Sequence, residues 1–224
     1  MPTPKITIQE LTLTLAAPDC NPILLTPNFL KGSGIIPNDW ELARKPTLTP
    51  QIAQISFTNG INLISQPGNL TLIQALAPDT DPDSLQTPEL AQKYIQALPN
   101  LDYQAVAINP RTFITFPDDN DDAAQQYLNS LLAPAPWQHA GTAPLKATLN
   151  LNYTFDGRTL NLSINEIKLQ KEDQTAQHAV LFSGNVPQKI SAKSEGEKLE
   201  QLRGAINQWR PVWDTYQGLF GQFV

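Results

Sequence analysis

The sequence is poor in the residues that most often build metal and redox sites. It has one cysteine, Cys20, and two histidines, His139 and His178, among 224 residues. A single cysteine excludes an intramolecular disulfide and a CxxC zinc site, and it is typical of a reducing compartment. Two histidines are too few for a His-rich metal centre. We therefore expect a cytoplasmic protein without a cysteine-based or histidine-based metal site.

Charged residues are also scarce, and their balance is acidic. They make up 16% of the chain, and the net charge is -6. The most basic stretch, 189–203, alternates with Glu195, Glu197 and Glu200. Because a negative surface repels phosphate, nucleic acid is not an expected partner. The chain also lacks the roughly 18 apolar residues of a membrane span and the basic and apolar regions of a signal peptide, so neither membrane insertion nor secretion is expected.

Motifs for catalysis and for cofactor binding are missing. The phosphate-binding patterns GxxxxGK[ST] and GxGxxG do not occur, and Ser183 in LFSGN lacks the first glycine of a nucleophile elbow. Asp118, Asn120 and Asp122 match the first three ligand positions of a calcium loop. The Gly and the Glu that complete such a loop are absent, so acids at the start of a helix are the better interpretation. We expect neither a cofactor nor a metal.

What the sequence does contain is the alternation of apolar and polar residues that is typical of strands. Residues 5–15 predict one strand with a bulge near Gln9. The Asn-Gly pair at 59–60 and the Pro-Gly pair at 67–68 favour tight turns. These turns divide residues 52–76 into a meander of three strands.

Five more segments have strand-like patterns. They lie at 101–109, 111–116, 145–155, 160–164 and 179–182. The third and fourth predict a long hairpin, because the Asp-Gly pair at 156–157 favours a tight turn between them. Two short helices are predicted, one from Thr87 and one from the acidic stretch 118–122.

The C-terminal segment predicts a long amphipathic helix that begins at Ser194 with a capping box. Its apolar positions recur every three or four residues. They are Leu199, Leu202, Ile206, Trp209, Trp213, Tyr216, Phe220 and Phe223. Pro211 interrupts the helix, and it predicts either a kink or a break into two helices.

These elements predict an α+β protein with mainly antiparallel sheets, built from the meander and the long hairpin, with two short helices and the long C-terminal helix. The proline-rich segment 133–144 is the best candidate boundary. It divides the chain into units 1–135 and 136–224, which we expect to pack as one globular body. Residues 19–50 predict an irregular connection whose apolar side chains wrap onto the domain.

Aromatic residues are the strongest candidates for a partner-binding surface. The candidates are Phe29, Trp40, Trp137, Trp213, Tyr216, Phe220 and Phe223. The first three lie in proline-rich, irregular segments, where surface exposure is common. The last four follow Pro211, where a 25-residue helix of about 37 Å would overhang a six-residue strand of about 20 Å. For Trp209 and Trp213, which lie on the apolar stripe, packing in the core is the favoured interpretation and partner binding is the alternative.

Six distinctive segments are spread along nearly the whole chain: NPILLTPNFL, SGIIPNDWELARKP, AQISFTNGI, LPNLDYQAVAINPRTF, LNLSIN and VLFSGN. In these segments the sequence resembles a group of cyanobacterial proteins of similar length to which no activity is assigned. The resemblance implies the cytoplasm of a photosynthetic bacterium, where accessory proteins assemble or regulate large pigment-protein complexes.

Three functional hypotheses follow. The leading one is a non-catalytic protein-interaction or assembly factor that binds a protein partner or associates with itself. The second is an enzyme whose site joins residues distant in sequence, with Asp102, Arg111 and His139 as members. The third is a small-ligand site in a cleft between the two halves.

Overall fold

The computed structural model describes residues 4–78, 80–116, 122–143, 145–170, 176–192 and 194–224, without the side chains of His139 and Glu195. The strands are β1 Lys5–Ala16, β2 Thr47–Leu48, β3 Ala53–Ser56, β4 Ile61–Gln66, β5 Asn69–Leu76, β6 Ala105–Thr115, β7 Leu149–Phe155, β8 Arg158–Gln170 and β9 Ala176–Lys189. The helices are α1 Pro27–Gly32, α2 Thr87–Ala97, α3 Ala123–Ser130, α4 Glu195–Asn207 and α5 Trp209–Phe220. Short 3-10 helices occupy Pro22–Leu24, Pro82–Ser84 and Pro136–His139.

All of these strands belong to one antiparallel sheet, in the order β2-β3-β4-β5-β1-β6-β9-β8-β7. The α+β class with an antiparallel sheet is therefore confirmed. The predicted meander forms β3, β4 and β5, and the predicted hairpin forms β7 and β8. The sheet continues across the predicted boundary between 1–135 and 136–224, because β6 of the first unit pairs with β9 of the second.

The central strand β6 replaces two predicted strands, one on each side of Pro110. It passes through Pro110 and pairs with β1 along this stretch. Its pairing with β9 is interrupted between Ile108 and Arg111, beside the proline. Since proline has no N–H to donate, a break in the ladder is expected there. The sequence alone could not show that the strand resumes after the break.

Local irregularities in the strands lie close to where the sequence predicts them. In the turn between β7 and β8, Asp156 has φ 49° and Gly157 has φ 76°. Two positive φ values in succession suit a two-residue hairpin turn, which the Asp-Gly pair favours. The bulge in β1 falls between Ile6 and Ile8, just before the predicted position.

Helices α2 to α5 pack against one face of the sheet. Alternate residues of the central strands point to these helices and are buried: Leu11, Leu13, Leu15, Val106, Ile108, Ile114, Val180 and Phe182. Burying each large apolar side chain contributes roughly 1.5 to 3 kcal/mol. The opposite face, here called the outer face, carries the other alternate residues, including Glu10, Thr12, Asn109, Ser183 and Asn185. Among the described helices, none is long and apolar enough to cross a membrane.

The start of helix α2 is capped from the sheet rather than from its own sequence. Gln86, which precedes the helix, makes no capping hydrogen bond with its side chain. Instead the Oε1 of Gln74 on β5 accepts hydrogen bonds from the backbone N–H of Gln86 at 2.7 Å and of Thr87 at 3.2 Å. It also accepts one from the Thr87 hydroxyl at 3.2 Å. A buried strand side chain thus satisfies donors that the first turn of a helix leaves free.

The predicted C-terminal helical segment is present. It is divided into two helices, so the predicted break rather than the kink is found. Helix α4 ends at Asn207, and α5 begins two residues later. The cause is Pro211, whose ring would clash with the carbonyl of Asn207 in a continuous helix. The helical hydrogen bonds resume when the N–H of Val212 donates to the carbonyl of Gln208 at 3.0 Å.

The connection over residues 19–50 packs onto the core as predicted. Its buried apolar residues are Leu25, Leu30, Ile35 and Ile36. The segment is less irregular than predicted, because it contains α1. The Thr26 hydroxyl caps this helix by accepting a hydrogen bond from the N–H of Phe29 at 3.1 Å, and Pro27 occupies its first position. A Thr-Pro pair is a recognisable helix start, so this helix was readable from the sequence.

Candidate functional site

Three of the predicted partner-binding residues lie in the protein's own core. Trp213, Tyr216 and Phe220 of α5 are 1%, 0% and 2% exposed. The predicted overhang is therefore wrong, because β8 and β9 have 13 and 14 residues rather than six. The break between α4 and α5 also shortens each helix. These three side chains are not available to a partner while the chain is folded.

Tyr216 packs closely against β9. Its O–H donates to the carbonyl of Phe182 at 3.0 Å. A Cβ atom at Gly184 would lie 3.0 Å from the ring of Tyr216 and 3.1 Å from the ring of Pro110. Only a glycine leaves room for this approach. Burial raises the pKa of Tyr216 above its ordinary value, so the hydroxyl stays a donor at neutral pH.

Phe223 follows α5 and is half-buried. Its ring centre lies 5.6 Å from that of Phe182. Its carbonyl accepts a hydrogen bond from the Tyr127 hydroxyl of α3 at 2.7 Å. Burial raises the pKa of Tyr127 to about 12, so this donor is also protonated at neutral pH. The end of the chain is thus fixed to the sheet and to α3.

The remaining predicted partner-binding residues differ in exposure. Phe29 and Trp40 are half-buried. The ring of Trp40 meets that of Phe57 edge-on, with 5.1 Å between centres. Trp137 lies in a 3-10 helix and is 52% exposed. It is the most exposed of the seven predicted aromatics, and partner binding there stays a prediction.

Of the residues suggested for an enzyme, the two that the structure describes in full, Asp102 and Arg111, lie apart from each other. Asp102 lies against α4, where Lys198 donates to its carboxylate at 2.9 Å. This hydrogen bond holds the pKa of Asp102 below its ordinary value. Arg111 lies on the outer face and donates to Glu10 at 3.0 Å. The side chain of His139 is outside the described residues.

Metal binding has no support in the described part of the chain. No group of three His, Cys, Asp or Glu side chains there could hold an ion. Asp118 and Asn120, from the partial calcium-loop match, lie outside the described residues. Ser183 lies on the outer face, opposite Arg111 in the strand register.

The most distinctive surface feature is the free edge of β7. This strand ends the sheet, and no described strand pairs with its far side. Its sequence, LNLNYTF, has no proline and no charged residue, and its register with β8 is continuous. Natural sheets protect their edges with charges, prolines, bulges or very short strands, because free N–H and C=O groups recruit other strands. β7 has none of these protections.

The two sides of β7 differ in chemistry. Its helix-side residues are half-buried: Leu149, Leu151, Tyr153 and Phe155. Two of them, Tyr153 and Phe155, stack with 5.9 Å between ring centres. On the outer face, Asn150, Asn152 and Thr154 are exposed. An added strand would therefore meet apolar groups on one side and amide or hydroxyl groups on the other.

A row of asparagines crosses the outer face and ends at β7. Asn109, Asn185, Asn161 and Asn152 follow one another on β6, β9, β8 and β7. The Asn185 amide donates to Asn109 at 2.6 Å, and the Asn161 amide donates to Asn185 at 3.4 Å. The row gives this part of the outer face polar groups without net charge, and its last member stands on the free edge.

Comparison of the chain with models of known protein families finds no match, and comparison with curated proteins finds none either. The chain's own geometry, above all the free edge of β7, is therefore the basis for assigning a function.

The sequence predicted the hairpin but not that one of its strands ends the sheet. Which strand lies at an edge depends on the order of all strands, and this order is set by long-range pairing. One signal was available. Residues 149–155 lack charge and proline, whereas the short strand β2 lies between Pro46 and Pro50. That contrast is what distinguishes an unprotected edge from a protected one.

Proposed function

We propose that the chain is a non-catalytic protein-interaction protein, and that it associates with a second copy of itself through β7. The observation that carries this proposal is the unprotected edge of β7. Half of the backbone N–H and C=O groups of an edge strand point away from its sheet, and a second strand satisfies them. Strand addition of this kind gives affinity through the backbone and specificity through alternate side chains.

Two copies fit together around a twofold axis at Asn152. In this antiparallel register, Leu151 stands opposite Tyr153 of the second copy, and Leu149 stands opposite Phe155. Apolar groups meet on the helix side and polar groups meet on the outer face. Each matched cross-strand pair contributes roughly 0.2 to 1 kcal/mol. Nine strands from each copy then form one sheet of eighteen, with helices α2 to α5 of both copies on the same side.

A second copy is the occupant that β7 itself specifies. The strand alternates apolar and polar residues over its whole length, so its own sequence supplies the complementary strand. It brings no like charges together, because it has no charged residue. The asparagine row would also continue, since Asn152 meets Asn152 of the second copy.

Charge substitutions on the outer face test this register. Asn150 stands opposite Thr154 of the second copy, and both residues are exposed. The double variant N150K/T154K places like charges opposite each other twice, whereas N150K/T154E places opposite charges there. We expect N150K/T154K to weaken the dimer at least about tenfold and N150K/T154E to retain it. Sedimentation equilibrium over a range of protein concentrations measures this, and circular dichroism confirms that each variant is folded.

A wild-type chain that stays monomeric up to submillimolar concentration would overturn self-association. Equal weakening of the dimer in both double variants would overturn the proposed register, because charge complementarity would then have no role.

The wider role that we propose is assembly or regulation of a large photosynthetic complex. It is supported by the resemblance to cyanobacterial proteins and by the exposed ring of Trp137. Under this proposal the wild-type chain co-sediments with pigment-protein complexes from a cyanobacterial lysate, and N150K/T154K does so less. Co-sedimentation of neither chain would contradict the wider role and leave the dimer as a separate result.

A further inference from the structure

Strand β7 covers only the first part of β8. The pairing of these two strands ends where Leu149 stands opposite Ile164, but β8 continues to Gln170. Residues 165–170 pair with β9 on one side, and no described strand lies on their other side. This section is here called the β8 edge. Unlike β7 it carries charged residues, which are the usual protection of a free edge.

The four residues before β7 match the β8 edge in position. The alternation of apolar and polar residues predicts a strand over 145–155, yet β7 begins at Leu149. Residues 145–148 continue the alternation of half-buried and exposed side chains. Continuing the register of β7 and β8 places Lys146 opposite Ile167. The chain thus contains a segment that is in register with the β8 edge and forms no ladder with it in the structure.

Helix α3 occupies the group that such a ladder would use. The Nε2 of Gln125 donates to the carbonyl of Leu145 at 2.6 Å, and the Nδ2 of Asn129 donates to it at 3.4 Å. In an antiparallel ladder every second pair exchanges N–H···O bonds, and such a pair closes a two-residue turn. Counted from the turn, Leu145 and Lys168 would be an exchanging pair. The Leu145 carbonyl therefore has two alternative donors, Gln125 and the N–H of Lys168.

The present arrangement leaves polar groups poorly satisfied at both ends. The Oε1 of Gln125 and the Oδ1 of Asn129 are buried, and no described residue donates to either of them. A buried acceptor without a donor costs free energy. On the β8 edge, the same count directs the carbonyl of Glu166 to the free side. It accepts from the Nδ2 of its neighbour Asn165 at 3.2 Å, so a side chain stands in for a strand.

We propose that residues 145–148 are a movable cover for the β8 edge. In the form that the structure shows, they rest on α3, and β7 has seven residues. In the second form they pair with 165–168 and lengthen β7 by four residues, and the amides of Gln125 and Asn129 bond to water. The cover determines how much of β8 is open to another strand. The proposal does not depend on self-association, because one copy supplies both strands.

Disulfide trapping tests the second form. The variant K146C/I167C places two cysteines that stand opposite each other only when 145–148 pair with β8. The matched variant N150C/S163C uses a pair that the ladder already contains. Both pairs lie on the outer face and are of the same type, with Cα atoms about 4.5 Å apart, which a disulfide can bridge. All variants also carry C20A, which removes the buried native thiol.

We expect both variants to form an intramolecular disulfide under mild oxidation, measured by mass spectrometry. The variant K146C/S163C, whose cysteines are opposite each other in neither form, should do so at least about tenfold more slowly. In the trapped protein, the backbone amide of Lys168 should exchange with solvent more slowly than after reduction, because it then donates to Leu145.

A substitution on α3 tests the competition for the Leu145 carbonyl. Adding Q125M to K146C/I167C removes the main donor from α3, and we expect trapping about fivefold faster, as the loss of one hydrogen bond allows. The control is Q126M at an exposed position of the same helix, which should leave the rate unchanged.

Three results would each overturn the proposal. The first is trapping of K146C/I167C no faster than that of K146C/S163C. The second is equal rates with Q125M and Q126M. The third is unchanged exchange at Lys168 in the trapped protein, because the disulfide would then have formed without a ladder.

Discussion

The two edge strands of the sheet, β2 and β7, differ in length and in proline content. β2 has two residues between Pro46 and Pro50, so it offers little backbone and no room for a longer strand. β7 has seven residues, all uncharged and none of them proline. The sheet therefore has a protected edge at β2 and an unprotected edge at β7. Among the described strands, β7 is therefore the one with an unprotected edge, as addition of a second strand requires.

The two sides also rest on different interactions. On the side that ends in β7, the ring of Tyr216 lies against Gly184 of β9. On the side that ends in β2, the amide of Gln74 on β5 caps α2. The first contact is a close apolar approach and the second is a hydrogen-bonded cap, and each adds to the packing of buried apolar residues on its helix.

The largest effect is expected from filling the space at Gly184. The variant G184V would force the ring of Tyr216 and that of Pro110 apart, because both already stand within about 3 Å of a Cβ position. We expect a loss of about 3 kcal/mol in the free energy of unfolding, measured by urea denaturation. The control is G218A on α5, where a Cβ meets no atom within 4 Å. Similar losses in both variants would contradict the close-approach argument.

A somewhat smaller effect is expected from removing the cap of α2. The variant Q74M keeps the side-chain length but leaves the N–H groups of Gln86 and Thr87 without their acceptor. We expect a loss of about 2 kcal/mol in the free energy of unfolding. The control is Q66M at the exposed end of β4, which should change stability little. A Q74M chain as stable as Q66M would show that the cap is not needed.

The smallest effect concerns the edges themselves. Hydrogen exchange of backbone amides should slow in β7 as protein concentration rises, because pairing with a second copy protects amides on its free side. The amides of β2 should exchange at the same rate at every concentration. Mass spectrometry of peptides that cover 149–155 and 47–48 measures both. Equal slowing at the two edges would point to general aggregation instead.

Much of the local structure was predictable, because it follows from short-range patterns. Period-2 alternation and the Asp-Gly pair at 156–157 predicted the hairpin, and Pro211 allowed a break in the C-terminal helix. Core packing of Trp213 was the favoured interpretation of the apolar stripe, but the burial of Tyr216 and Phe220 was not predicted. Their burial depends on the lengths of β8 and β9, which have 13 and 14 residues. The apolar pattern predicted strands only at 160–164 and 179–182.

The candidate sites were less predictable than the fold. The edge at β7 follows from the order of all strands, which no single segment encodes.

The position of β6 has a consequence for how the chain is made. Its neighbours come from opposite ends of the sequence: Glu10 of β1 is 101 residues before Arg111, and Asn185 of β9 is 76 residues after Asn109. Such long-range pairing slows folding. During synthesis, β6 can join β1 well before β9 leaves the ribosome, and in that interval β6 is itself an edge. Pro110 then gives the half-made sheet the protection that a proline gives any edge.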